Sequence, residues 1–306
     1  MTEHPKNIAA SVRARLQRLA EQRREDFQLL LTRYANERLL HRLSVSAHAP
    51  QFVLKGAALF TLWTGRAHRA TRDLDRLGFG NNTVERVRAV FDDLLRLNVE
   101  DDGIAFVPGS LTVARIREAQ EYGGIRAVFD ATLGNARIRL QVDVGFGDAV
   151  TPAAQLVEFP ALLDFPAPKL RAYPRETVVA EKLDAMVQLG MANSRMKDFF
   201  DVVLLSRMFD FDGSLLARAI RATFDRRGTL LPTRLPVALT PEFANDATKR
   251  TQWSAFLRKS SASIEPSDLA SIVARAADFV SDPLAAAASD AAWAGLWAPG
   301  GPWTIP

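Results

Sequence analysis

The apolar positions of the chain fall into runs of different period, and each run predicts an element. From residue 7 to about 46, Ile8, Val12, Leu16 and Leu19 recur at spacings of four and three, the stripe of an amphipathic helix. "QFVLKGAALF" reads as a buried strand, Phe52 to Leu54, running into a glycine turn and a helix, and Asp73 to Phe79 as a second strand. "TVERVRAVFDDLLRL" returns to helical spacing, with Val84, Val87, Phe91, Leu94 and Leu95 on the core side and Thr83 as N-cap. A strand-rich block follows. In it "GGIRAVFDATL" and "ARIRLQVDVGF" flank Gly134-Asn135, a pair with hairpin chemistry. Ile138, Leu140, Val142 and Val144 take one face of the second strand, and Arg137, Arg139, Gln141 and Asp143 the other.

"TPAAQLVEFPALLDFPAPKLRAYPRE" is rich in proline and reads as a connector to a second region. "ETVVAEKLDAMVQLG" and "RMKDFFDVVLLSRMF" predict a helical hairpin around "MANS", with further helices near 213–226, 241–260 and 266–281. The Ala- and Trp-rich tail from Asp282 shows no periodicity. The pattern predicts an α+β chain: a mixed sheet flanked by helices, then a mostly helical region.

Composition narrows this picture only a little. With 306 residues, 48% hydrophobic and 24% charged, the chain has enough apolar content for a real core. A net charge of +4 permits a nucleic-acid or nucleotide partner without requiring one. There is no cysteine, which excludes disulfides and thiolate metal sites, and His4, His41, His48 and His68 are too scattered for a zinc cluster. No apolar run reaches membrane-spanning length and none opens the chain, so the expectation is a cytoplasmic protein with no membrane partner.

The candidate chemistry starts at "RATRDLDRLGFG". Asp73 and Asp75 lie on one face of a predicted strand, where like charges repel unless they are solvated or share a cation. Asp143 stands on the polar face of a later strand. Three carboxylates on neighbouring strands are the oxygen set that holds Mg²⁺ for phosphoryl transfer. Lys55, Gly56 and Ala57 form the turn upstream, where backbone N–H groups can approach phosphates. Arg66, Arg69 and Arg72 precede the aspartate pair, either as solvated charges or as phosphate partners. Lys182 borders an apolar helix side of Val179, Leu183, Met186 and Val187; it either lays its stem over the core or serves a triphosphate as a point charge. Asp198 and Asp201 share a face of the next helix, so an interhelical salt bridge to Lys182 is the plain alternative. Asp148 reads as a turn cap. The N-terminal arginines Arg13, Arg15, Arg18, Arg23 and Arg24 read as a solvated face or as contacts to RNA phosphates. Phosphate loop, GxGxxG, GxSxG and HExxH motifs are all absent.

In order, "FVLKGAALF…RATRDLDRLGFG…QEYGGIRA…QVDVGFGDAVTP…ETVVAEKLDAMVQLG…SRMKDFFDVV" resembles the AbiEii/AbiGii-type toxin nucleotidyltransferases, a branch of the polymerase-β-like superfamily. The resemblance spans roughly residues 50 to 205. It implies a nucleotidyltransferase domain with an N-terminal helical extension, 1–165, and a helical domain, 166–306. It also implies a nucleoside triphosphate substrate, Mg²⁺, a possible cognate antitoxin and a toxin–antitoxin or phage-defence setting. For the MenT-type relatives the acceptor is the 3′ end of tRNA. By position, Asp73 and Asp75 correspond to the metal-binding pair, Lys182 to the essential lysine and Asp198 to the second-domain aspartate. Ala57 stands where Gly or Ser is usual, and Arg76 where an apolar residue is usual. Transfer to a small-molecule or protein hydroxyl, and a weakened nucleotide- or RNA-binding module, are the competing expectations.

Overall fold

The computed structural model describes residues 7–66, 68–69, 73–116, 124–260, 264–265, 267–289 and 293–305. Arg72, His4 and part of "QEYGGIRA" lie outside them. The chain divides into two compact units, Met1–Gly147 with Gln155–Ala172, and Asp148–Ala154 with Tyr173–Pro306.

In the first unit the predicted helical stretch is two helices, α1 (Ile8–Arg23) and α2 (Phe27–Val45). The break is local: Arg24 adopts a left-handed φ of 52°, and Asp26 caps α2 by accepting from the Leu29 N–H at 2.8 Å. Then come β1 (Phe52–Lys55), α3 (Ala58–Thr64), β2 (Asp73–Gly78) and α4 (Val84–Arg96), which is capped by Thr83 as its sequence predicts. The strand block is β3 (Ile104–Arg115), β4 (Ile125–Leu133) and β5 (Ala136–Phe146), with β4 and β5 joined through Gly134-Asn135. The proline-rich stretch is more than a connector, because it carries β6 (Gln155–Glu158) and β7 (Lys169–Ala172).

These strands form one seven-stranded mixed sheet in the order β3-β4-β5-β2-β1-β7-β6. β1 pairs with β7 in parallel, as does β2 with β5, and the remaining pairs are antiparallel. Period-2 burial pins the register. Leu54, Leu74, Val142, Ala127, Leu140 and Ile138 are all buried on the strands, and Leu39, Leu43, Phe91 and Leu94 are buried on α2 and α4. Arg76 belongs to this apolar side too, facing a small cavity between Leu39, Leu43, Phe52, Leu74, Phe91 and Val142.

The second unit holds α5 (Arg175–Leu189), α6 (Met196–Met208), β8 (Phe211–Asp212), α7 (Gly213–Arg227), α8 (Pro241–Asn245), α9 (Ala247–Ser260) and α10 (Leu269–Ser289). The helix expected over 241–260 is broken between α8 and α9, and α10 runs on through Pro283. The tail is ordered by its tryptophans. β9 (Leu296–Trp297) pairs with β8 and with β10 (Trp303–Thr304). Trp297 Nε1 donates to the Ser206 carbonyl at 2.6 Å, and Trp303 stacks on Phe279 at 5.8 Å. Among the described residues no helix is long and apolar enough to cross a membrane.

Candidate active site

Sheet register aligns the charged residues of the first unit. Lys55 of β1 is the register partner of Asp75, Asp75 of β2 that of Asp143, and Asp143 of β5 that of Arg126 on β4. Register partners on adjacent strands share a face, so four strands carry a row of plus, minus, minus, plus. Asp73, two residues before Asp75, pairs with Gln141 and joins the same face. This face is polar because the intervening residues fill the core.

Gly56 follows the last residue of β1. Its φ is +74°, and a Cβ placed on it would lie 2.0 Å from Oδ2 of Asp75. A glycine is needed here twice over, for the left-handed backbone and for the approach of the carboxylate. Ala57 is buried at the start of α3, a helix of 7 residues. Past that helix Arg66 is exposed and Arg69 is half-buried.

The three carboxylates are not arranged as a ready cage. Among the described residues no group of three or more His, Cys, Asp or Glu side chains is placed to hold a metal ion. Asp143 is engaged instead by Arg126, whose Nε and Nη2 donate to its two oxygens at 2.8 and 2.7 Å. Gln141 Nε2 approaches the same oxygens at 3.3 and 3.4 Å. The hydrogen-bonded Asp143 carboxylate, reinforced by the charges of Asp73 and Asp75, holds the Arg126 guanidinium above its ordinary pKa. The donor set still fits Mg²⁺: that ion takes hard oxygens from one or two carboxylates and completes its shell with waters and substrate phosphates. Asp73 and Asp75 offer such a pair on one strand face, and no nitrogen or sulfur ligand stands in the row.

Arg126 was missed as a site residue, yet the sequence contains its signal. Counting outward from the two-residue turn at Gly134-Asn135, the eighth cross-strand pair of the hairpin is Arg126 with Asp143.

The second unit brings the other two predicted residues together. Lys182 Nζ donates to Asp198 Oδ1 and to Asp201 Oδ2, each at 2.8 Å, linking α5 to α6. Asp198 also accepts from Arg195 Nε at 2.7 Å. Both carboxylates are buried. Burial alone would raise the Asp198 pKa, but Lys182 and Arg195 outweigh it and hold the group below the ordinary value. Asp148, expected to cap a turn, takes part in an ion-pair cluster. It accepts from Arg227 Nη2 at 3.0 Å, and the same guanidinium reaches Asp184 at 2.9 Å and Glu181 at 3.4 Å. These partners come from three separate segments, so no local motif announces them.

Among solved structures the chain is similar to JHP933 from Helicobacter pylori, at 14% identity over 86% of this chain and 94% of that one, with a TM-score of 0.48. It is also similar to an antigenic nucleotidyltransferase-like protein from Paracoccidioides brasiliensis, at 13% identity over 88% of this chain and 93% of that one, with a TM-score of 0.32. No curated protein matches it. The family model described as nucleotidyl transferase AbiEii toxin, type IV TA system, matches residues 38–280, a span that includes every element of the charged row and the Lys182 pair. The chain belongs to this AbiEii family and is a nucleotidyltransferase.

Proposed function

We propose that the protein transfers a nucleotidyl group from a nucleoside triphosphate to an RNA acceptor, the tRNA 3′ end, with Mg²⁺ held by Asp73, Asp75 and Asp143. In this reading it acts in the cytoplasm as the toxin of a toxin–antitoxin or phage-defence system, countered by a cognate antitoxin. The observation that carries the proposal is the register that sets Asp75 beside Asp143, with Asp73 on the same face.

The acceptor hydroxyl oxygen attacks the α-phosphorus. A new P–O bond forms as the hydroxyl proton passes to solvent water, the bond to the bridging oxygen of the β-phosphate breaks, and pyrophosphate leaves. Mg²⁺, when bound, stabilises charge on the attacking and leaving oxygens. Asp73 and Asp75 are the residues that would hold that ion. Lys55 and the Gly56-Ala57 turn border the phosphates, and Arg66 and Arg69 add positive charge. Lys182, ion-paired with Asp198, corresponds by position to the family's essential lysine, and we assign the pair a catalytic role. Exposed Arg13, Arg18, Arg23 and Arg24 on and just after α1 support an RNA acceptor.

The test is incubation of the protein with total tRNA and Mg²⁺ and each α-labelled triphosphate in turn, beside Asp75→Ala of verified fold. Label on tRNA with wild type and none with the variant is the expected result. Label on protein or small molecules, with tRNA unlabelled, would replace RNA by another hydroxyl acceptor. Equal labelling by the variant would remove the aspartate pair from the chemistry.

A further inference from the structure

The proposed function leaves Arg126 without a task, although its Nε and Nη2 lie 2.8 and 2.7 Å from the two oxygens of Asp143. Its fork grips both oxygens of Asp143, the geometry in which guanidinium matches carboxylate or phosphate equally well. The two partners differ in freedom. The Arg126 side chain is 41% exposed and the Asp143 side chain 18%, so the guanidinium has room to leave while the carboxylate stays in the sheet.

Three carboxylates on one face require countercharge, and Arg126 with Lys55 brackets the row from its two ends. A divalent ion approaching Asp143 meets the positive charge of the fork and competes with it for the same two carboxylate oxygens. Resting on the metal-and-triphosphate reading above, we propose that Arg126 is a specificity-determining residue that competes with the metal ion for Asp143 and transfers to the triphosphate when metal and nucleotide bind together. The metal alone competes with the fork and offers the guanidinium no new anionic partner. The metal–triphosphate complex displaces the fork and supplies phosphate oxygens to receive it, so the site selects the complex over the bare ion.

This gives Arg126→Gln opposite effects on two binding constants, a result that a merely structural clamp does not produce. Mn²⁺ binding without nucleotide is measured by electron paramagnetic resonance. Binding of α,β-methylene triphosphate analogues with Mg²⁺ is measured by calorimetry. Arg126→Gln is expected to bind bare Mn²⁺ several-fold tighter and to bind the best analogue about tenfold weaker, as loss of one charge-assisted fork predicts. Arg126→Lys keeps the charge without the fork and shifts both constants in the same directions by smaller factors. Unchanged or weaker Mn²⁺ binding in both variants, with wild-type melting temperature, overturns the proposal. A wild-type protein that binds neither Mn²⁺ nor any analogue overturns the proposed function itself, which keeps the two failures apart.

Discussion

The carboxylate of Asp75 rests against the bare Cα of Gly56, so close that a Cβ there would meet Oδ2 at 2.0 Å. Gly56→Ala is therefore expected to displace a proposed metal ligand while straining a backbone held at φ +74°. The strain costs about 1–2 kcal/mol, and moving the carboxylate by about 1 Å costs roughly a hundredfold in kcat/KM. Steady-state kinetics beside thermal melting separates the two effects. Wild-type transfer by this variant would show that Asp75 has no fixed role.

Lys182 ties down two buried carboxylates, so its removal is a structural injury before it is a catalytic one. Lys182→Ala is expected to destabilise the second unit by about 3–5 kcal/mol, the usual cost of stranding a buried charge. Urea unfolding measures this. Adding Asp198→Asn and Asp201→Asn to Lys182→Met should recover most of the stability without recovering transfer. If Lys182→Ala melts like wild type, the ion pairs are not holding α5 to α6.

Acid should expose the same network. The folded-state pKa of Asp198 lies below its unfolded value, so its contribution is fully present above the ordinary carboxylate range and is lost as pH falls through the folded pKa. Between pH 5 and pH 3, roughly the span around an unperturbed aspartate, wild type should lose more stability than Asp198→Asn. Parallel pH–stability curves for the two proteins would contradict this.

Arg76 is 2% exposed on the apolar side of β2, and its Nη2 has no hydrogen-bond partner among the described residues. Burial pulls its pKa down to about 9, against the opposing pull of Asp75. The group remains charged at neutral pH, where the full desolvation penalty applies. Arg76→Met is expected to raise stability at pH 7 by about 1–4 kcal/mol, as when buried charges give way to apolar side chains of similar volume. The midpoint of guanidinium chloride unfolding reports it, and a lowered midpoint would mean that Arg76 is compensated in place.

If the acceptor is tRNA, reversing Arg13, Arg18, Arg23 and Arg24 to glutamate should weaken tRNA binding and leave triphosphate affinity unchanged. Arg15 is left in place because it pairs with Asp164 at 2.7 Å. Each lost phosphate contact should flatten the log–log salt dependence by roughly 0.7–0.9. Filter retention at two salt concentrations tests this, and identical slopes would remove α1 from the RNA surface.

Long amphipathic segments were legible because their period is local. Thr83 before the Val87–Phe91–Leu94 stripe announces α4, and the Gly134-Asn135 turn announces β4 and β5 together with the position of Asp143. Strand β6 was hidden for the opposite reason. Leu156 of β6 is 71% exposed, so that edge strand buries no alternating face and looks like linker. The tail was unreadable because its order comes from Trp297 and Trp303 packing on the distant Phe279, a contact without sequence period. Asp73, Asp75 and Asp143 could be placed on one face from alternation alone. That Asp143 is already held by Arg126 required cross-strand pairing to be followed outward from the turn.

The parallel pairing of β2 with β5 also decides when the charged row comes into being. Parallel strands cannot be neighbours in sequence, and here α4, β3 and β4 intervene between the two. Such distant closures are among the slow events of folding. A chain still being synthesised, or cleaved between Gly78 and Ala136, carries the DLD stretch beside β1 but has no β5 to set on its other side. Assembly of the charged row is thereby tied to completion of the sheet, and a protease that cuts between Leu97 and Ala136 in an unfolded chain leaves two fragments, neither of which holds the whole row.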